Sequence, residues 1–176
     1  MTVAYQGAPG AFSHEACLRF LVGHEPFPVR TFEDVVRTVE SGDADLGMLP
    51  LFNNEAGETG ARPLIEPSGL SIIAQHDLPI RMHLLGLPSA ALDAIRTVTS
   101  HPVALRQCKR SLEALGVGIE EAANTALAAE GLARTDVGVL ASEAAAGIYG
   151  LAILKRDLQD RPDNATTFAV VARSES

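Results

Sequence analysis

Val137-Gly138-Val139-Leu140-Ala141-Ser142-Glu143-Ala144-Ala145-Ala146-Gly147-Ile148-Tyr149-Gly150 is the stretch whose reading decides the fold. Val137–Ala141 is a short apolar run and reads as a buried strand. Ser142 follows, and Glu143–Tyr149 is alanine-rich and reads as a helix. Gly150 ends it. A strand running through a polar turn into a helix is half of a strand–helix–strand unit, and the chain repeats that half-unit on both sides.

Upstream, Ile95–Thr99 reads as a strand. Ser100 caps a helix that carries Pro102 in its first turn and runs to about Leu115. Val117–Ile119 is a short strand, and Asn124 or Thr125 caps a helix over Ala126–Ala133. Further back, Thr2–Gln6 is a buried first strand broken by Gly7, Pro9 and Gly10, and Ser13 caps a helix through Val22. Pro28–Thr31 is a strand, Phe32–Glu40 a helix stopped at Gly42, and Asp45–Pro50 a strand. Glu55–Gly69 is a long loop with one helical turn around Pro63–Ile65. Leu70–Gln75 and Met82–Leu87 are strands, and Phe168–Ala172 is the last. This alternation predicts an α/β fold of parallel sheets covered on both faces. Two blocks emerge as two lobes: 1–78, to which 156–176 returns, and 79–155. Ligands in such folds sit beyond the carboxyl ends of strands, here in a cleft between the lobes.

Of the 176 residues, 47% are hydrophobic, ample for one or two small cores. Fourteen basic against 22 acidic residues give a net charge of −8, and no basic run stands out, so nucleic acid and anionic membranes are poor partners. No apolar run approaches the roughly 18 residues of a membrane span. Met1-Thr2-Val3-Ala4-Tyr5 lacks the basic start and apolar stretch of a signal peptide. Cys17 and Cys108 are too few for a disulfide scaffold or a cysteine zinc site and read as core residues. A reduced, cytoplasmic enzyme or binding domain is expected.

The polar residues collect where strands give way to helices: Gly7 to His14, Pro50 to Asn54, Ser100 to Pro102 and Ala141 to Glu143. Helix N-termini offer free N–H groups and partial positive charge, and several converging on one cleft would hold a carboxylate without many cations. Taken singly, Ser13, Ser100 and Ser142 read as helix caps. His14 and His101 each follow such a serine, although a first-turn histidine is more often a solvated helix-end residue. No dinucleotide fingerprint, nucleophile elbow or phosphate loop is present. No His, Asp or Glu spacing predicts a metal site.

Taken together, Tyr5-Gln6-Gly7-Ala8-Pro9-Gly10-Ala11-Phe12-Ser13-His14, Thr31-Phe32-Glu33-Asp34-Val35, Pro50-Leu51-Phe52-Asn53, Leu78-Pro79-Ile80, Ser100-His101-Pro102, Gln107-Cys108, Ala141-Ser142-Glu143, Tyr149-Gly150-Leu151 and Asp163-Asn164-Ala165-Thr166-Thr167-Phe168 occur in an order that resembles the prephenate dehydratases across nearly the whole chain. The resemblance implies a two-lobed domain of the type II periplasmic-binding-protein kind. It implies decarboxylative dehydration of prephenate to phenylpyruvate on the route to phenylalanine, without a cofactor or metal. Thr166 would be the catalytic donor to the departing hydroxide. Ser13, His14, Asn53, Ser100, His101, Thr167 and Phe168 would bind substrate. A homodimer is implied, and no regulatory ACT domain is expected within this chain.

Four positions depart from the family pattern. The arginine after the catalytic threonine is Thr167, the glutamate before Asn53 is Phe52, the hydroxyl residue of the first motif is Ala11, and the glutamine after Ser-His-Pro is Val103. Arg62 or Arg81 could replace the missing charge. Retention of Thr166 favours a dehydratase. Loss of the arginine favours a prephenate decarboxylase that does not aromatise its product. The apolar replacements together favour a non-catalytic module binding a small aromatic or keto acid.

Overall fold

A computed structural model of the chain describes residues 1–174. It divides into two compact units: Met1–Ala8, Phe12–Pro79 and the run from Ala165 form the first, and Pro9–Ala11 with Ile80–Asn164 form the second.

The first unit holds β1 (Thr2–Gln6), α1 (Phe12–Phe20), β2 (Glu25–Val29), α2 (Phe32–Ser41), β3 (Leu46–Asn53), β4 (Gly57–Glu58), α3 (Arg62–Ile65), β5 (Leu70–Pro79) and, from the chain's end, β11 (Ala165–Arg173). Its sheet runs β2-β1-β3-β11-β5, with β4 attached to β3. β2, β1 and β3 are parallel, whereas β11 lies antiparallel between β3 and β5. α2 shows how sequence sets local structure. Thr31 accepts from the Asp34 N–H while Asp34 accepts from the Thr31 N–H, a reciprocal cap, and Gly42 closes the helix in the left-handed region at φ 85°. Val35, Val36 and Val39 then face one way and pack on Ala4, Leu49, Leu51, Ala169 and Val171. Burying each valine stabilises the fold by about 1.5–3 kcal/mol. Gly47 lets this layer close, because a Cβ there would stand 2.8 Å from Val171 and 2.9 Å from Val35.

The second unit holds β6 (His83–Gly86), a 3-10 turn (Leu92–Ala94), β7 (Thr97–Ser100), α4 (Pro102–Gln107), α5 (Lys109–Leu115), β8 (Gly118–Glu121), α6 (Thr125–Glu130), β9 (Val137–Ala141), α7 (Glu143–Tyr149) and β10 (Ala152–Lys155). Its sheet runs β10-β6-β9-β7-β8. β8 and β9 flank β7 in parallel, and β6 and β10 are antiparallel additions. Ala129, Val139, Ala141, Ala145 and Ala146 pack with Leu85 in its core.

The α/β class with two units stands, but both sheets are mixed rather than parallel. Pairings between distant parts of the chain, β11 in one and β6 with β10 in the other, supply the antiparallel strands. Residues 156–164 belong to the second unit, not to the first as the alternation predicts. Their bonds explain it: the Leu158 N–H donates to Met82 O at 2.7 Å, Gln159 Oε1 accepts from the Met82 N–H, and the Asp160 carboxylate accepts from the Arg110 and Ser111 N–H groups. The strand expected at Pro28–Thr31 sits earlier, at Glu25–Val29, because it pairs with β1 from Thr2 to Gln6. Pro26 and Pro28 are tolerated on this edge. The helix expected from Ser100 to Leu115 is two helices that break at Cys108. Asp160 fills the new N-terminus of α5, a partner fifty residues away that no local pattern signals. Cys17 and Cys108 are buried free thiols, as expected of core residues, and burial pushes the Cys17 thiol up to about 12. Among the described residues no helix is long and apolar enough to cross a membrane.

Candidate active site

The centre of the candidate site is a buried polar pair on two adjacent strands of the first unit. Thr166 stands on β11 directly opposite Asn53 on β3. Both side chains are buried, and Asn53 Nδ2 donates to Thr166 Oγ1 at 2.9 Å. The same amide nitrogen donates to Ala165 O at 3.1 Å. Asn53 Oδ1 accepts from the N–H groups of Glu55 at 3.0 Å and Ala56 at 2.8 Å. These two backbone donors fix which end of the amide faces Thr166.

A one-residue irregularity brings the pair together. Ala169 pairs with Leu49 and Phe168 with Pro50, but Thr167 pairs with Phe52 and Thr166 with Asn53, so Leu51 is an extra residue on β3. Side chains alternate along a strand, and one inserted residue exchanges the faces beyond it. Before the bulge, Met48 and Pro50 share the face of Phe168 and Val170. After it, Asn53 shares the face of Thr166. Without the bulge Asn53 would point into the valine layer under α2.

Ser13 and His14 reach the same face from α1. Tyr5 alternates with Ala4, which lies in the α2 layer, so Tyr5 points to the other side, where its ring lies 5.3 Å from that of His14. Ser13 lies inside α1, which begins at Phe12, so it is a buried first-turn residue and not the cap the sequence predicts. Burial holds the His14 imidazole below the ordinary histidine pKa. Phe168 is buried beneath Thr166 on this face.

Thr167 does not join them. It points to the face opposite Thr166, and its hydroxyl donates to Asp77 on β5 at 2.5 Å. The substrate-binding role expected of it is therefore not supported by its placement. Phe52, directly opposite Thr167, shares its face and is exposed. Two of the four departures from the family pattern are thus a single cross-strand pair. An aromatic and a β-branched residue opposite each other on neighbouring strands form a stabilising kind of cross-strand pair. Arg62 and Arg81 are exposed.

Ser100 and His101 lie in the second unit. Ser100 is the last residue of β7, fully buried, and its hydroxyl donates to Leu140 O on β9 at 2.9 Å. The cap of α4 is His101, whose Nδ1 accepts from the Val103 N–H at 3.2 Å. The strand continues one residue further than expected because Ser100 still pairs with Glu121. Ser142 does cap α7, accepting from the Ala145 N–H, and it donates to Gly10 O at 2.7 Å. Sequence reasoning missed two further polar groups here. Asn164 Nδ2 donates to Gln107 Oε1 at 3.1 Å, both buried. His83 is buried, and its Nδ1 accepts from the N–H of Asp157, which holds a left-handed φ of 54°. Burial lowers the His83 pKa, and the nearby Asp157 carboxylate opposes that.

The prephenate dehydratase (PDT) family model matches residues 3–176. The chain belongs to the prephenate dehydratase family. It is 38% identical over 175 residues to arogenate dehydratase/prephenate dehydratase 1, chloroplastic, of Arabidopsis thaliana, covering 97% of this chain and 45% of that protein. The chain spans about half the length of the curated relatives it matches. Among solved structures, GqqA, described as a novel type of quorum quenching acylase, superposes with a TM-score of 0.92 at 33% identity, over all of this chain and 65% of that one. Prephenate dehydratase of Arthrobacter aurescens, solved in complex with L-Phe, gives 0.90 at 26%, over all of this chain and 61% of that one. The wider fold is that of periplasmic binding proteins: an ABC transporter substrate-binding protein of Coxiella burnetii gives 0.51 at 13%, over 98% and 84%.

Proposed function

We propose that this chain carries a dehydratase activity that converts prephenate to phenylpyruvate, with Thr166 as the donor to the leaving oxygen. The observation that carries the reading is the buried Thr166 hydroxyl, held by Asn53 on a family scaffold. In the reaction the bond from the ring to its carboxylate breaks and carbon dioxide departs. The released electron pair enters the ring, and the bond to the ring oxygen opposite breaks. That oxygen leaves as hydroxide, which takes a proton from solvent to become water, and aromatisation drives the step. Negative charge grows on the departing oxygen, so a fixed hydrogen-bond donor lowers the barrier. A threonine hydroxyl is too weak an acid to surrender its proton outright, and its contribution is positioned hydrogen bonding. Ser13, His14 and Phe168 lie on the same sheet face and are the substrate-side residues of this unit.

The test is incubation with prephenate at neutral pH, following phenylpyruvate and carbon dioxide together. Equal release of both supports the dehydratase. Carbon dioxide without phenylpyruvate supports a non-aromatising decarboxylase. Saturable binding without either product supports a binding module. Because relatives of the chain are named for arogenate, that substrate is assayed in parallel. The same reading includes a homodimer, checked by light scattering on the purified protein, and a reducing, cytoplasmic location, in keeping with two buried free thiols.

A further inference from the structure

We propose that Asn53 is a positioning residue that aims the Thr166 proton, rather than a ligand of the substrate; the proposal rests on Thr166 being the donor. A hydroxyl carries one proton and two lone pairs, and its rotor settles according to which neighbours donate and which accept. Here the neighbour can only donate. Asn53 Oδ1 is taken by the Glu55 and Ala56 N–H groups, so the amide presents Nδ2 to Thr166 Oγ1. Oγ1 therefore accepts from Asn53, and its proton is turned away from β3. Among the described residues, this is the hydrogen bond that Thr166 Oγ1 makes. The amide also donates to Ala165 O, so both of its protons are assigned and its plane is fixed.

Each part of the arrangement has a local cause. The Leu51 bulge puts Asn53 on the correct face. The turn at 53–56 supplies the two N–H groups that prevent the amide from flipping. A flipped amide would present an oxygen, which would capture the Thr166 proton and leave a lone pair facing the reaction. Orientation of this kind costs nothing at the moment of reaction because folding has already fixed it.

The experiment compares Asn53→Asp with Asn53→Ala, assayed on prephenate with the uncatalysed rate subtracted. Aspartate keeps the oxygen that binds Glu55 and Ala56 but replaces the donor with an acceptor. Alanine removes both and leaves the Thr166 rotor free. A positioning role predicts that Asn53→Asp is the worse enzyme and the more stable protein. Its kcat should fall on the order of 100- to 1000-fold with KM within about threefold, whereas Asn53→Ala loses about tenfold. The kcat of Asn53→Asp should recover as pH falls towards the carboxyl range, where a protonated aspartate donates again. The Thr166→Val/Asn53→Asp double variant should be no slower than Thr166→Val alone.

A structural role predicts that activity follows stability, with alanine the slower enzyme as well as the less stable protein, and no acid recovery. A direct substrate contact predicts a KM rise that matches the loss and multiplicative effects in the double variant. Either result overturns the proposal. Should Asn53→Asp not fold, the Asn53→Ala and double-variant kinetics decide by the same non-additivity. Full activity in Thr166→Val would instead overturn the reading of Thr166 itself, a distinct failure.

Discussion

The two units spend their buried hydroxyls differently. In the second unit Ser100 donates to Leu140 O and Ser142 donates to Gly10 O, so both protons are consumed in holding strands and loops together. The Gln107–Asn164 amides are likewise paired with each other. In the first unit Thr166 accepts from Asn53 and keeps its proton for another acceptor. Similar residue types, all buried, thus serve as frame in one unit and, in the proposed reading, as a donor in the other. What distinguishes them is whether the neighbour is an acceptor or a donor.

The largest expected difference is kinetic. Thr166→Val should lower kcat on the order of 100- to 1000-fold while shifting the melting temperature little. Ser100→Ala should leave kcat within a few-fold but cost about 1–2 kcal/mol, read as a lowered denaturation midpoint. Equal loss of activity in the two variants would erase the contrast. Next in size is packing. Gly47→Ala drives a Cβ against Val171 and Val35, which are stiff at χ1, and should cost about 1–3 kcal/mol. Gly138→Ala meets chiefly the end of Leu84, which can turn aside, and should cost less despite the shorter 2.6 Å approach. Denaturant midpoints of the two variants check the order.

A pH effect follows from the buried histidines. The fold lowers the His83 and His14 pKa values by burial, so the unfolded chain binds more protons as the medium acidifies. Their contribution is present above the ordinary histidine value of about 6.5 and is lost as pH falls below it. His83→Gln should flatten the loss of melting temperature between about pH 7 and 5.5. An unchanged slope would show that His83 does not contribute. The smallest effect concerns the Phe52–Thr167 pair. Phe52→Glu combined with Thr167→Arg should show a coupling of about 0.2–1 kcal/mol, with kcat nearly unchanged. A large fall in KM in Thr167→Arg alone would place that side chain on the substrate's side.

How much of this was legible in the sequence depended on where the determining contacts lie. α7 and β9 match the reading residue for residue, since Ser142, the alanine run and Gly150 are all local signals. β10 has only four residues and exists through its pairing with β6, so nothing local announces it. Ser100 looked like a cap because it precedes His101-Pro102, but pairing with β8 extends the strand through it. Thr166 and Asn53 were legible as family motif residues, yet their direct contact was not. It depends on the extra residue at Leu51, which only the partner strand's register can count. For the same reason the sequence treated Phe52 and Thr167 as separate losses when they are one pair.

The most direct test of the account is turnover of prephenate by Thr166→Ser beside Thr166→Val. Serine keeps the hydroxyl within reach of Asn53, and valine keeps the shape without it. The account predicts substantial phenylpyruvate formation by Thr166→Ser and almost none by Thr166→Val. Comparable rates in the two variants would contradict it.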